Sequence, residues 1–343
     1  MNKNKVLISV IVPCYNQAQY LDECLQSVEN QIFTDWECLI VDDGSPDNTA
    51  EIAKKWANRN NRFRYLKKEN GGLGSARNFG IENALGEWIL PLDADDKISE
   101  NYMQLAVNEF DNNYKVIYCE AKRFGKKQGL WKMPNFSLNT LAKRNVIFCT
   151  AFFRKNEWQK VGGYDINLLN GWEDWEFWIA LLKNGGKVLK INEVCFFYRI
   201  KKQSMITDLM QKKELNLHTF DYIRSKHNIF FAKITKKIFF VVKSLSPEYQ
   251  AEMPTYEFIN ELLAQNYEIG IITTKKEKNE IDFSEKVTIF YLFSEKELFL
   301  AKIKPILQRR IRKLYKKEFP DTILTVGKQY FSKAKLGSLY CKL

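Results

Sequence analysis

The sequence predicts a mostly parallel α/β sheet covered by helices over residues 1–204. A helical connection follows over 205–235, then a smaller basic α/β domain over 236–343. Three observations carry this expectation. Strand and helix patterns alternate over the first hundred residues. The strands read as continuous apolar runs, as strands buried on both faces do. Several of those runs end abruptly in acids and turn residues. With 343 residues, 45% of them apolar, the chain has material for two cores.

The elements follow in order. "VLISVIVP" is an apolar, β-branched run that leads straight into a polar turn without a small-residue cleavage site, so it reads as a first strand and not a signal peptide. "QAQYLDECLQSVENQ" sets Leu21, Cys24, Leu25 and Val28 on one helical face. "WECLIVDDGS" is a second strand, and "SPDNTAEIAKKWANRN" a helix with Asp47 or Asn48 as its N-cap. "FRYLKKE" is a short third strand. "NGGLGSARNFGIENALGE" is a glycine turn and a helix, with Gly86 expected at the C-cap. "WILPLDADD" is the fourth strand. Beyond residue 235, "KKIFFVVKSLSP", "YEIGIITT", "KVTIFYLF" and "DTILTVGK" read as strands; "MPTYEFINELLAQN" and "ELFLAKIKPILQRRIRKLYKKEF" read as helices.

The net charge of +12 is unevenly placed. Residues 1–204 hold 28 Lys+Arg against 25 Asp+Glu, whereas residues 205–343 hold 25 against 16. A solvated lysine-rich surface explains such a tail as well as an anionic partner does. Arg309, Arg310, Arg312, Lys313, Lys316 and Lys317 lie on one helical stretch suited to peripheral contact with an anionic membrane. Nucleic acid is not expected as a partner, because the basic surplus lies away from the motifs and no base-stacking motif is present. The seven cysteines are scattered without a C-x-x-C pair, as expected of reduced core residues in a cytoplasmic protein.

In a parallel sheet the ligand crevice lies beyond the carboxyl ends of the strands. Pro13–Asn16, Asp42–Ser45 and Asp93–Asp96 all fall there. Along an extended chain Asp93 and Asp95 would face one side and Ala94 the other. Two carboxylates so presented suit a hard divalent ion shared with a phosphate. A solvated acidic turn is the plainer explanation of the same residues, and Asp42–Gly44 likewise reads as an ordinary turn.

"ISVIVPCYN", "VDDGSPDNT", "NGGLGSARNFGI", "LDADD" and "VGGYDINLLNGWEDWEFW" occur in this order from about Ser9 to about Ser204. Together they resemble the family 2 glycosyltransferases, which have the GT-A nucleotide-diphospho-sugar transferase fold. The resemblance implies transfer of a sugar, usually from a UDP-sugar, with inversion at the anomeric carbon. It assigns Pro13, Tyr15, Asp42, Asp43 and Arg77 to the nucleotide, together with Asp93 and Ala94. It makes Asp95 the Mn2+ or Mg2+ ligand. In its "ED" pair, Glu173 and Asp174, the aspartate is the catalytic base. Acids are also favoured at helix N-termini, by a few tenths to about 1 kcal/mol, which would account for the pair without chemistry.

One position departs from the family. Some relatives place a metal-ligating histidine about two residues past the arginine of "FYRIKK"; here that residue is Lys201, and the two histidines are His218 and His227. A protonated lysine cannot ligate a cation. The expectation is an ion held mainly by Asp95 and phosphate, with Arg199 or Lys201 offsetting phosphate charge. The tail resembles the N-terminal Rossmann-like half of a GT-B glycosyltransferase, with Ala251 and Glu252 where that pattern has glycines. The implied function is a metal-dependent hexosyltransferase acting on a glycan or lipid-linked acceptor in surface polysaccharide or glycolipid synthesis. A nucleotidyltransferase and a non-catalytic nucleotide-sugar or nucleic-acid binding protein are the alternatives.

Overall fold

The computed structural model describes residues 6–169, 171–201, 213–234, 236–241, 256–264, 267–273, 287–291 and 322–325. The chain forms two units, Met1–Ile234 and Thr235–Leu343.

The first unit is built on a nine-stranded sheet. Its strands are β1 Ile8–Cys14, β2 Trp36–Asp42, β3 Phe63–Lys67, β4 Trp88–Pro91, β5 Lys97–Ile98, β6 Tyr114–Gly125, β7 Gly129–Trp131, β8 Phe152–Arg154 and β9 Lys187–Ile200. The order is β3-β2-β1-β4-β8-β6-β9-β5, with β7 beside β6. β1 pairs in parallel with β2 and β4, and β2 with β3. β8 runs against both β4 and β6, so β6, and β9 parallel to it, return to the direction of β1. Every residue of β1 and β2 is buried, which is why neither alternates polar and apolar positions.

Helices α1 Ala18–Glu29, α2 Thr49–Arg59 and α3 Leu73–Glu82 connect the first strands, and the short helices α4 Tyr102–Val107, α5 Leu138–Lys143 and α6 Lys155–Val161 follow. α1 buries Leu21, Cys24, Leu25 and Val28, the four positions its periodicity picks out. Asn48 is the residue before α2 but its side chain makes no cap bond. Asp47 does that work for two helices, accepting from Ala18 N at 2.9 Å and Thr49 N at 3.1 Å.

Gly86 has a different role from the expected one. α3 ends at Glu82 with Asn83 as its C-cap. Gly86 donates its N–H to Ser9 Oγ at 2.8 Å, and a Cβ there would lie 2.6 Å from Ser9 N. A glycine is required because the chain entering β4 crosses the backbone of β1 without room for a side chain.

The helices Lys213–Lys226 and Asn228–Lys233 belong to the first unit. Lys226 Nζ bridges Asp165 Oδ2 (2.6 Å) and Glu176 Oε1 (2.9 Å), and His227 Nε2 lies 2.6 Å from the same Glu176 oxygen. These contacts fasten the segment expected as a connection onto the first unit's core.

The second unit holds a four-stranded, wholly parallel sheet. It is made of β10 Lys236–Val241, β11 Tyr267–Thr273, β12 Val287–Tyr291 and β13 Thr322–Thr325, in the order β12-β11-β10-β13. That order, stepping outward twice and then returning to the other side of the first strand, is the doubly wound pattern. Phe240, Ile259, Leu262, Ile269, Ile271 and Val287 form its core. The basic stretch 309–317, with Ala251 and Glu252, lies outside the described residues. Among the described residues no helix is long and apolar enough to cross a membrane.

Replacing Gly86 by alanine drives a methyl group into β1. We expect a loss of about 1–3 kcal/mol of stability, read as a lower urea midpoint with an unchanged slope.

Candidate active site

The site lies at the carboxyl ends of β1, β2 and β4, where the strand order switches sides. Register brings these ends level. Cys14 pairs with Asp42, Asp43 N donates to Cys14 O at 2.9 Å, and Leu92 N donates to Ile11 O at 2.9 Å. Pro13 is buried in β1, whereas Tyr15, just past its end, is 50% exposed and available to a ligand.

Asp42 and Asp43 are both buried and both engaged. Asp42 accepts from Ser45 N at 2.8 Å and from the Tyr65 hydroxyl at 2.9 Å. Asp43 accepts from Lys68 Nζ at 2.7 Å and from the amides of Gly71 (3.0 Å) and Gly72 (2.9 Å). The glycine turn is thereby shaped by an acid from another strand. Gly72, at φ 84°, takes a conformation that a side chain would disfavour.

The acids after β4 form a tight turn, not the extended segment expected. Asp96 N donates to Asp93 O at 2.9 Å, so alternation does not govern where their side chains point. Each acid has its own arrangement. Asp93 Oδ1 meets Arg77 at 2.7 Å, and its Oδ2 lies 3.5 Å from the Cys149 thiol. Ala94 is buried. Asp95 Oδ2 meets Lys201 Nζ at 2.6 Å. Asp96 is 1% exposed and accepts from Arg199 N at 2.7 Å, while its buried Oδ2 has no partner among the described residues. Burial, helped by repulsion from Asp95 and Asp93, pushes the Asp96 carboxyl well above the usual range.

β9 brings the cations here. β5, which follows the acidic turn, pairs antiparallel with its end, Lys97 opposite Phe197. Arg199 helps hold that junction. Its Nε donates to Asp95 O at 2.7 Å, its guanidinium lies 4.3 Å from the Phe124 ring and 4.6 Å from the Tyr20 ring, and it pairs with Glu23.

The "ED" pair opens helix α7, Glu173–Leu182. The sequence pattern predicts one buried face, yet every residue of α7 except Asp174 is buried. Gly171 (φ 100°) and Trp172 (φ 68°) turn the chain into it. A tryptophan in the left-handed region is strained; here its ring lies 6.0 Å from that of Trp175 and 5.2 Å from that of Phe220. Glu173 Oε1 meets Arg77 at 2.5 Å. Arg77, 1% exposed, thus bridges the acidic turn and the "ED" helix, 5.4 Å from the Tyr164 ring.

Asp174 Oδ2 accepts from Asn145 Nδ2 at 2.8 Å and Oδ1 from Trp175 N at 2.8 Å. Burial first, and Glu173 beside it second, raise its carboxyl to about 7. Asn145 and Cys149 carry no motif and escape sequence reasoning. Asn78 could have been found, as the neighbour of Arg77. It accepts from Tyr164 N at 2.8 Å and Trp158 Nε1 at 3.0 Å, and donates to Tyr164 O at 2.8 Å, pinning the "GGYD" loop.

Among the described residues no group of three or more His, Cys, Asp or Glu side chains is placed to hold a metal ion. Asp95, with one oxygen on Lys201 and the other free of hydrogen bonds from the described residues, offers one hard ligand. That fits an ion held mostly by a ligand's phosphates, as Mg2+ usually is.

The first unit has a GT-A-like fold. It superposes on Staphylococcus aureus TarS 1–349 in complex with UDP-GlcNAc with a TM-score of 0.52, at 24% identity over 59% of this chain and 60% of that one. Residues 9–165 match Glycosyl transferase family 2, and we assign this segment to that family as its glycosyltransferase domain. A hyaluronan synthase of Pasteurella multocida is 25% identical over 355 residues, covering 96% of this chain. A chondroitin synthase of Pasteurella multocida strain Pm70 is 30% identical over 196 residues, covering 55% of this chain. The matched segments span 36% and 20% of the length of those two curated relatives.

Arg77→Met leaves Glu173 buried without its cation and Asp93 without its partner. We expect a loss of about 3–5 kcal/mol, measured by denaturant unfolding, with Arg77→Lys recovering only part because one ammonium cannot span both acids.

Proposed function

We propose that the chain is an inverting glycosyltransferase that moves a sugar from a UDP-sugar to a hydroxyl of a glycan or lipid-linked acceptor. The observation that carries this is Asp174, half-buried at the start of an otherwise buried helix, with its carboxyl raised to about 7. A base of that strength suits proton abstraction near neutrality.

Asp174 takes the proton of the acceptor hydroxyl. The oxygen forms its bond to the anomeric carbon as the bond to the donor's diphosphate breaks, and UDP departs with that electron pair. One displacement without a covalent intermediate inverts the centre. Asn145 holds the base through Oδ2 and so leaves the carboxylate in one orientation. Tyr15, exposed beyond β1, is the aromatic face offered to the base of the nucleotide, with Pro13 and Asp42 forming the wall behind it. Asp43 acts by fixing the glycine turn, and Arg77 by fixing Asp93 toward the ribose. A divalent ion, when bound, would be held by Asp95 and would supply positive charge for the leaving diphosphate. The polymer acceptor follows the names of the two Pasteurella relatives, and the UDP donor follows the motif resemblance. The six free cysteines among the described residues suit a reducing compartment, and we place the enzyme in the cytoplasm.

Thermal shift with UDP, GDP, CMP and ADP, each with and without Mn2+, tests the donor. UDP at 100 times its dissociation constant should add about 2.7 kcal/mol, and Asp95→Asn should remove the part that depends on Mn2+. No shift with any nucleotide would end the proposal.

Asp174→Asn should keep the UDP shift and lose about 10²–10⁴-fold in turnover. For the unmodified protein the base works only as the carboxylate. Activity on limiting substrate should therefore rise with pH through about 7 and level off above it. A flat profile from pH 5 to 8 would remove Asp174 as the base.

A further inference from the structure

The cation at the acidic turn belongs to the chain itself. Lys201 Nζ lies 2.6 Å from Asp95 Oδ2 and 3.2 Å from Gln17 Oε1, with the Tyr20 ring 5.5 Å away. Gln17 is neutral, so Asp95 alone supplies countercharge among these contacts. The backbone beneath is fixed: Arg199 N donates to Asp96, Lys126 N donates to Ile200 O at 3.0 Å, and Arg199 Nε holds the carbonyl of Asp95. The long lysine stem is the part free to swing. Lys201 and Asp95 are each 19% exposed, so both stand within reach of a ligand from solvent.

We propose that Lys201 is a tethered cation that keeps free divalent ions off Asp95 and passes to the donor diphosphate when nucleotide and ion arrive together. This rests on the nucleotide site proposed above. An ion on Asp95 would sit beside an ammonium that cannot be its ligand. Before nucleotide binds, the ion meets a carboxylate whose charge is already offset and is repelled by the group offsetting it. The diphosphate changes both terms. It offers the ammonium a new anionic partner, and it gives the ion the oxygen ligands that Asp95 alone cannot. Ion and nucleotide must then bind in a strongly coupled manner, each tightening the other by the same factor. Lysine in place of a ligating side chain thus makes the ion arrive with the donor and not ahead of it.

The test uses Mn2+ and UDP on the full chain. Free Mn2+ is counted by electron paramagnetic resonance during titration of the unmodified protein, Lys201→Met and Lys201→Arg, first without nucleotide. The unmodified protein and Lys201→Arg should take up Mn2+ weakly, and Lys201→Met about tenfold or more tighter, within the usual range of coupling between sites. Calorimetry with UDP in EDTA should show Lys201→Met binding about tenfold more weakly than the unmodified protein, because the phosphate has lost its cation. Matching melting curves in EDTA confirm that the variants are folded. Equal Mn2+ uptake by the unmodified protein and Lys201→Met without nucleotide overturns the proposal. Failure of UDP to bind any of the proteins sinks the nucleotide site and the handover with it. The Mn2+ arm then still shows whether Lys201 guards Asp95, so the two failures are told apart.

Discussion

The buried guanidinium of Arg77 is the constraint on which the site depends. It reaches Asp93 in the turn after β4 and Glu173 at the start of α7, two acids 80 residues apart in sequence. A planar fork with a fixed charge can hold two carboxylates in a set relation; an ammonium offers one point of charge. The bridge fixes where the "ED" helix begins relative to the acidic turn. Any reaction that needs groups from both elements inherits its geometry from this contact. A buried ion triad is expensive to desolvate and is weak evidence of net stability. Its value here lies in specifying position.

The same logic settles how five aspartates share one end of the sheet, Asp42 among them with the Ser45 amide and the Tyr65 hydroxyl. Asp43 is neutralised by Lys68 and two glycine amides, Asp93 by Arg77, and Asp95 by Lys201. Asp96 has only one backbone donor and is pushed toward its neutral form by burial. Each of these carboxylates thus meets at least one donor from the chain itself.

Much of this was legible in the sequence, and the failures have physical causes. The four buried positions of α1 and the all-buried strands β1 and β2 follow directly from periodicity, because each element meets one environment along its length. Gly86 was misjudged because a close backbone crossing and a helix cap ask for the same residue. The acidic turn reads as extended because nothing in the sequence marks the end of β4 at Pro91, before the acids begin. Asn145 was invisible: a loop amide that reaches a carboxylate 29 residues away leaves no local pattern. Lys201 stood out as a departure from the family pattern, but only the pairing of β5 with β9 places it on Asp95.

Asp174 is where opposing effects can be weighed. A carboxylate in the first turn of a helix is normally favoured in its charged form, by about 0.3–1 kcal/mol. The Arg77 charge, the Trp175 amide and the Asn145 amide push the same way. Against them stand desolvation and the charge of Glu173, and these win. The lift from the ordinary 3.8 to about 7 corresponds to roughly 4 kcal/mol, several times the helix contribution. The reason is the company α7 keeps: with every other residue of the helix buried, its N-terminus carries little water to solvate an acid. Were α7 an ordinary amphipathic surface helix, Asp174 would be an ordinary solvated carboxylate in its first turn, ionised at neutrality. Burial of the whole helix is what lifts the Asp174 carboxyl toward neutrality.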